Sequence, residues 1–210
     1  MRNMHLQTLP QQTANLLNTF DFSVINPIGN FYLSGGTALS LQIGHRESED
    51  LDFFFNEDFD PNKLLEILSQ QRKLESVGIE IGTLNTYISG VKLQFLHYPY
   101  ELLQNGLLWN GLVLSSVLDI ACTKLQTIGM RGGKKDFIDL FFILDQYPLD
   151  FLIHKLSEKY PQVQYSLPHI LKSLTYFEDA NEQPMPRMHK DVTWEQVQAK
   201  MIQSMRKISM

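Results

Sequence analysis

The alternation of apolar and polar positions early in the chain predicts a strand, a glycine turn, a helix and a second strand. A short apolar strand is predicted at 31–34, and Gly35 and Gly36 end it. Apolar side chains then recur at helical spacing over 37–43. The run 51–55 is apolar and aromatic apart from one aspartate, which predicts a buried strand carrying a single acid.

Helices and short strands surround this unit. A helix is predicted at 11–20, and Asp60 with Pro61 supplies an N-cap and a first-turn proline for another helix at 62–72. Short segments separated by Asn, Ser and Gly then predict antiparallel strands. These strands are 79–84, 86–89, 91–98 and 111–114.

Beyond residue 115 the apolar spacing becomes helical. Thr193 and Gln196 have the spacing of a capping box in front of the last helix. The predicted helices are 116–130, 134–146, 150–159, 167–177 and a final one after Thr193. This change of pattern predicts an α+β domain at 1–115, with a mixed or antiparallel sheet flanked by helices, and a helical domain at 116–210.

The composition is that of an ordinary globular protein. Of the 210 residues 43% are hydrophobic and 20% are charged, which excludes a disordered chain, a collagen-like repeat and a coiled coil. No apolar run reaches the roughly 18 residues that a membrane span needs, and residues 1–12 lack an apolar signal core. The single cysteine, Cys122, excludes an internal disulfide. These features predict a cytoplasmic protein with no membrane partner.

The charge limits how a polyanion could bind. A formal net charge of −5 argues against a generally basic nucleic-acid surface, so a polyanion would need a local basic patch. The candidate patch consists of Lys124, Arg131, Lys134 and Lys135, joined by Arg187, Lys190 and the final helix.

The glycine turn is the first candidate binding feature. Glycines let a ligand approach the backbone, and the N-terminus of the helix that follows Gly35-Gly36-Thr37 offers free N–H groups to an anion such as a phosphate. A tight strand-to-helix connection without a ligand is the alternative interpretation.

Two aspartates form the second candidate feature. Residues two apart in a strand point to the same face, so Asp50 and Asp52 would direct their carboxylates to one place. Paired carboxylates repel unless a cation lies between them, and hard oxygen ligands favour Mg²⁺ shared with substrate phosphates. A solvated strand end is the alternative.

A Lys-Asp helix is the third candidate feature. Asp136 and Asp139 are three residues apart and share a helix face. Lys134 and Lys135 lie in the first turn, where the helix dipole disfavours cations, which suggests an anionic partner. A loop kept soluble by lysines is the alternative.

The order of these motifs resembles the polymerase-beta-like nucleotidyltransferase fold, in which a glycine turn opening a helix is followed by an Asp-x-Asp strand. The sequences of these motifs are similar to those of the AbiEii/AbiGii family of abortive-infection toxins. The residues that carry the resemblance are 35–41, 44–54, 119–124 and 135–140, within a matching stretch of 31–144.

The resemblance implies a nucleotide site in the first half of the chain. Gly35-Gly36-Thr37 would hold a nucleoside triphosphate (NTP), and Asp50 and Asp52 would bind Mg²⁺ and act in catalysis. Arg46, which precedes the acidic strand, would meet the nucleotide or the acceptor, with a surface role as the alternative.

The resemblance also assigns roles in the second half. Lys124 would contact phosphate, and Asp136 would be a second catalytic acid that orients or deprotonates the acceptor. The implied enzyme is a Mg²⁺-dependent nucleotidyltransferase that acts on RNA, with transfer RNA (tRNA) as acceptor, and is the toxin partner of a separate antitoxin.

One departure from the pattern leaves alternatives open. Polymerase-beta-like enzymes usually carry a third acid on a later strand, but 91–98 has Gln94 and no acid. Asp136 could substitute, one metal could suffice, or the protein could bind nucleotides or partners with weak catalysis. Transfer to a small molecule or to a protein is a further alternative to RNA.

Overall fold

The computed structural model describes residues 4–164 and 166–208. The chain divides into two compact units, Met1–Ser116 and Val117–Met210, called here the N-terminal and C-terminal units. Within the described ranges no helix has both the length and the apolar character that a membrane crossing requires.

The N-terminal unit combines one large sheet with helices. Its α-helices are α1 (Gln11–Thr19), α2 (Gly35–Ile43) and α3 (Pro61–Gln71). Short 3-10 turns lie at Leu6–Thr8 and Phe22–Ile25. Its strands are β1 (Tyr32–Ser34), β2 (Leu51–Phe55), β3 (Glu75–Glu80), β4 (Thr83–Ile88), β5 (Val91–His97), β6 (Leu107–Trp109) and β7 (Leu112–Leu114).

The seven strands of the described N-terminal unit form a mixed sheet in the order β3-β4-β5-β2-β1-β7-β6. β2 runs antiparallel to β1 and parallel to β5, and β1 runs parallel to β7. The outer pairs β3–β4, β4–β5 and β6–β7 are antiparallel. The predicted α+β class, with a mixed sheet and helices, is therefore confirmed.

The two faces of the sheet differ in chemistry. Leu51, Phe53 and Phe55 alternate along β2 and are buried, and the ring of Phe53 stacks on that of Phe95 at 5.0 Å between centroids. Because successive strand residues point to opposite faces, Asp52 lies on the face away from these rings. The first face builds the core, and the second carries Ser34 and Asp52 next to the buried rings of Tyr32 and Phe54.

Two strand predictions are wrong. The predicted strand 79–84 is split between β3 and β4, because Gly82 takes a left-handed backbone (φ +65°) and the chain reverses there. Strand β6 was missed, and it pairs with β7 as a hairpin. Of the predicted antiparallel strands, β5 and β7 also have parallel partners, which long crossover connections allow.

The C-terminal unit is helical in its described part. Its helices are α4 (Val117–Met130), α5 (Lys134–Ile143), α6 (Leu149–Lys159), α7 (Leu167–Ser173), α8 (Glu178–Asn181) and α9 (Trp194–Ile208). Helix α4 packs against α5, α6 and α7. The predicted capping box is confirmed, because the Thr193 amide donates to Gln196 Oε1 at 2.8 Å and the Gln196 amide donates to Thr193 Oγ1 at 3.3 Å.

Two helices end earlier than predicted. The predicted helix 134–146 stops at Ile143, and the predicted helix 167–177 stops at Ser173. At both ends the backbone hydrogen bonds change from the α-helical spacing of four residues to the 3-10 spacing of three residues. Examples are Gln146 N–H to Ile143 O and Tyr176 N–H to Ser173 O. Periodicity does not show this change, since the apolar spacing continues through it.

The single cysteine lies in the core of the C-terminal unit. Cys122 is fully buried on α4. Burial raises the pKa of its thiol to about 12, so the side chain stays a neutral, apolar packing group near pH 7.

Candidate active site

The glycine turn is the first turn of helix α2. The helix begins at Gly35, two residues before the predicted start, and the Ser34 side chain makes no capping hydrogen bond to it. The Ser34 hydroxyl is instead bonded to the Ser115 hydroxyl at 2.8 Å. A nine-residue helix thus presents an N-terminus that its N-cap side chain does not satisfy, which suits an anion.

Both glycines are required by what surrounds them. Gly35 has a left-handed backbone (φ +66°), and a Cβ atom there would lie 2.5 Å from Asp52 Oδ2. A Cβ atom on Gly36 would lie 2.6 Å from Arg46 Nη2. The turn therefore lies between a carboxylate and a guanidinium, and a side chain at either position would displace one of them.

Thr37 joins the start of α2 to the segment before β2. Its buried hydroxyl is hydrogen-bonded to the Asp50 carbonyl oxygen at 2.5 Å and to Ser48 Oγ at 2.9 Å. This hydroxyl thus forms its hydrogen bonds within the protein. The predicted nucleotide contact of Thr37 would therefore be made by its backbone N–H. Ser48, which sequence reasoning did not select, completes the link.

Asp50 and Asp52 lie at the start of β2. Asp52 lies in β2, paired in register with Ser34 of β1, and Asp50 directly precedes the strand. Asp50 is exposed and Asp52 is half-buried. Because only Asp52 is a strand residue, the meeting of the two carboxylates at one place stays a prediction.

The donor set at these aspartates fits Mg²⁺. Within the described ranges no group of three or more His, Cys, Asp or Glu residues could hold a metal ion. Mg²⁺ prefers hard oxygen ligands and is usually held by one or two carboxylates plus substrate phosphates, rather than by a cage of protein ligands. Asp50 and Asp52 near the glycine turn would provide such a set.

Amide side chains continue the polar face beyond Asp52. Gln94 of β5 lies in register with Asp52, and Asn85 of β4 lies in register with Gln94. The buried Oδ1 atom of Asn85 accepts no hydrogen bond from the described residues. Sequence reasoning missed Asn85 because only the strand register shows that it belongs to the same row as Asp52.

Arg46 lies beneath the glycine turn rather than at the surface. Its side chain is 2% exposed, and its Nη1 donates to the Glu47 carbonyl oxygen at 2.9 Å. The alternative of a surface role is thereby removed. A buried guanidinium next to Gly36 adds positive charge behind the helix N-terminus, where a bound phosphate would lie.

The predicted residues of the C-terminal unit form an ion-pair cluster. Lys124 Nζ lies 2.8 Å from Asp136 Oδ1 and 2.7 Å from Asp139 Oδ2. Asp139 is fully buried, whereas Asp136 keeps 16% of its side chain exposed. The prediction that the two aspartates share a helix face is confirmed, and the roles of Lys124 and Asp136 in phosphate contact and catalysis stay predictions.

The predicted basic patch is wrong for two of its members. Lys124 is buried between its two aspartates, and Lys134 is buried with its Nζ atom 5.1 Å from the centre of the Trp194 ring. Ion pairing and cation–π contact remove both cations from the surface. Arg131 and Lys135 remain exposed.

Replacing Gly35 by alanine should disturb the site more than the same change elsewhere. Gly111 has a similar backbone (φ +78°), and a Cβ atom added there would meet nothing within 4 Å, so Gly111→Ala measures the conformational penalty alone, about 1–2 kcal/mol. Gly35→Ala adds a collision with Asp52 and should also raise the KM for the triphosphate. The measurements are chemical denaturation and initial rates, and equal effects of the two variants would contradict the contact.

Comparisons with known proteins agree with this geometry. A family model described as the nucleotidyl transferase AbiEii toxin of type IV toxin–antitoxin systems matches residues 22–81, which include the glycine turn and both aspartates. An uncharacterized protein of Aquifex aeolicus, aq_aa25, is 36% identical over 177 residues, covering 80% of this chain and 83% of that protein.

Solved structures share the fold at low identity. The nucleotidyltransferase toxin MenT4 of Mycobacterium tuberculosis has a TM-score of 0.59 at 16% identity, covering 98% of this chain and 87% of that one. An H. pylori protein assigned to the nucleotidyltransferases has a TM-score of 0.57 at 17% identity, covering 97% and 94%. These structures show a shared nucleotidyltransferase fold, and the family model assigns residues 22–81, with the glycine turn and both aspartates, to the AbiEii nucleotidyl transferase toxins.

Proposed function

We propose that the protein is a Mg²⁺-dependent nucleotidyltransferase that transfers a nucleotide from an NTP to a hydroxyl of RNA, with tRNA as the acceptor. The observation that carries the proposal is the glycine turn at the start of α2, between Asp52 and Arg46. A helix N-terminus with a guanidinium behind it and a carboxylate beside it suits a triphosphate and its metal ion.

The binding roles follow from the chemistry of the groups. Backbone N–H groups of Gly35, Gly36 and Thr37 donate to phosphate oxygens, and the charge of Arg46 strengthens their attraction for the anion. The carboxylates of Asp50 and Asp52 are acceptor-only groups that would repel a bare triphosphate, so they require a cation. Mg²⁺ held by them would neutralise phosphate charge and stabilise the transition state.

The proposed reaction is a substitution at the α-phosphorus. The acceptor oxygen forms a bond to phosphorus, the bond to the bridging oxygen breaks, and pyrophosphate leaves. The acceptor's proton needs a base, and Gln94 in the register position beside Asp52 cannot take one. Asp136 is the candidate for that role, and Lys124, paired with it, is the candidate phosphate contact.

The biological setting follows from the family. A toxin of a toxin–antitoxin system needs a cognate antitoxin, so we expect a separate protein that restrains this enzyme in the cytoplasm. The antitoxin acts either on the toxin itself or on the toxin's product. Stable complex formation between purified antitoxin and toxin on size-exclusion chromatography distinguishes these two modes.

A label-transfer assay tests the proposed function. The purified protein is incubated with Mg²⁺, each of the four α-³²P-labelled NTPs in turn, and total tRNA. Matched reactions contain EDTA, or tRNA whose 3′ end has been oxidised with periodate. We expect label on RNA that depends on Mg²⁺ and on an intact 3′ hydroxyl. Label on protein alone would refute the RNA acceptor, and no label on any acceptor would refute catalysis under this proposal.

A further inference from the structure

A groove in the C-terminal unit lies outside the site described above. It has a volume of about 310 Å³ and is formed by the end of α4 with α7 and the turn after it. We call it the α4–α7 groove and define it by Met130, Arg131, His169, Lys172 and Tyr176. Its size lies at the lower end of the range of about 300–1,000 Å³ that is typical of ligand sites.

Charge is unevenly divided between the two units. The C-terminal unit holds 12 of the 18 Lys and Arg residues and 11 of the 23 Asp and Glu residues, a formal net charge of +1. The N-terminal unit holds 6 and 12, a formal net charge of −6. A polyanion is therefore less repelled by the C-terminal unit.

Six of the twelve cations of the C-terminal unit contact partners inside it. Lysines 124, 155, 159 and 200 pair with carboxylates, and lysines 134 and 190 lie over aromatic rings. Arg131, Lys135, Lys172, Arg206 and Lys207 are exposed, and none of these five forms an ion pair with another residue of the described chain. Of these five, Arg131 and Lys172 line the α4–α7 groove, where Asp179 is the one acid among the described lining residues, so the groove offers two cations to a ligand.

The same groove exposes flat and apolar surface. Met130 is 81% exposed and Tyr176 is 50% exposed. The Tyr176 hydroxyl donates to Glu178 Oε2 at 2.7 Å, which orients the ring, and this bond raises the pKa of Tyr176 so that the phenol stays neutral. His169 is oriented as well, since its Nε2 donates to the Gly129 carbonyl oxygen at 2.9 Å. An oriented aromatic ring beside cations is the combination that binds single-stranded nucleic acid.

We propose that the α4–α7 groove binds single-stranded RNA, with Arg131 and Lys172 on phosphates and one base stacked on Tyr176. The inference rests on the proposed function for the identity of the acceptor, and it assigns the surface that holds the RNA. A phosphate-only site has no use for an exposed ring, and an acidic peptide lacks the flat faces that stack on one.

Fluorescence anisotropy with a 5′-fluorescein-labelled ten-nucleotide oligouridylate, without NTP or Mg²⁺, tests this proposal. The double variant R131A/K172A should weaken binding at least about tenfold and reduce the slope of log affinity against log salt by about 1.4, since each phosphate contact contributes about 0.7. The matched control R72A/K73A removes an exposed arginine and an exposed lysine at the end of α3, outside the groove, and should bind as wild type does. Circular dichroism melts confirm that each variant is folded.

The stacking part of the proposal has its own variants. Tyr176→Ala should weaken binding about tenfold, whereas Tyr176→Phe keeps the ring and should stay near the wild-type affinity. Inorganic phosphate and polyglutamate serve as competitors. Full competition by millimolar phosphate with no effect of Tyr176→Ala would mean a phosphate site, and equal binding of polyglutamate would mean a protein surface, and either result overturns the proposal.

The outcomes separate this inference from the proposed function. If R131A/K172A binds the oligonucleotide as wild type does, while wild type still transfers label to tRNA, the groove is not the RNA site and the proposed function stands. If wild type transfers no label but binds the oligonucleotide through Arg131, Lys172 and Tyr176, the groove assignment stands and the proposed catalysis fails.

Discussion

Replacing Asp52 by asparagine should lower nucleotidyl transfer about a thousandfold, because a metal-holding carboxylate stabilises transition-state charge by several kcal/mol. The change keeps the shape of the side chain, which matters because Asp52 Oδ2 lies against the backbone of Gly35. A thermal melt followed by circular dichroism checks that the variant is folded, so that a lost rate reports the loss of the carboxylate charge. The measurements are the initial rate of label transfer and a calorimetric titration with a non-hydrolysable triphosphate and Mg²⁺.

The matched control is Asp58→Asn. Asp58 is exposed just after β2, and its Oδ1 accepts a hydrogen bond from the neighbouring Phe59 amide, which an asparagine oxygen can also accept. This variant makes the same chemical change and should keep wild-type transfer. A rate for Asp52→Asn within a few-fold of wild type would show that Asp52 is not part of the catalytic centre.

Replacing Lys124 by methionine should destabilise the protein by about 3–5 kcal/mol, because the change leaves a buried carboxylate without its cation. Asp139 is fully buried, and Lys124 Nζ lies 2.7 Å from its Oδ2 atom. Methionine approximates the length of the lysine stem, so lost packing contributes little. Urea denaturation monitored by circular dichroism gives the free energy of unfolding.

Two further variants make this result specific. Lys155→Met breaks the pair with Glu158, whose side chain is 41% exposed, and should change stability by less than about 1 kcal/mol. Adding Asp136→Asn and Asp139→Asn to Lys124→Met should recover part of the lost stability, because no uncompensated charge is then buried. Unchanged stability of Lys124→Met with a raised KM for the triphosphate would instead favour the phosphate-contact role.

The elements around the glycine turn were predictable because local signals agree with the fold. Strand β2 has the predicted bounds, since an apolar and aromatic run of this length suits a buried strand. Helix α3 starts where Asp60 and Pro61 predict, and the Asp60 side chain accepts from the Asn62 amide. The face of the sheet on which Asp52 lies likewise follows from the alternation of side chains along any strand.

Other elements depended on contacts that local patterns do not contain. The split of 79–84 at Gly82 requires a hairpin between β3 and β4, and an Ile-Gly pair is a weaker turn signal than Asn-Gly or Asp-Gly. The parallel pairing of β5 with β2 is a long-range arrangement. Asn85 lies in one row with Gln94 and Asp52 only because β4, β5 and β2 pair in this register.

The sequence by itself determined the chemistry that is available: a glycine turn at the start of a helix, two aspartates at the start of a strand and a Lys-Asp helix. These features depend on neighbours within a few residues, where backbone geometry is the same in any fold. The tertiary structure decided which charged side chains are buried or paired and which are exposed. Lys124 and Lys134 are buried by partners distant in sequence, whereas Arg131 and Lys172 remain available, because ion pairing and burial are set by packing rather than by spacing.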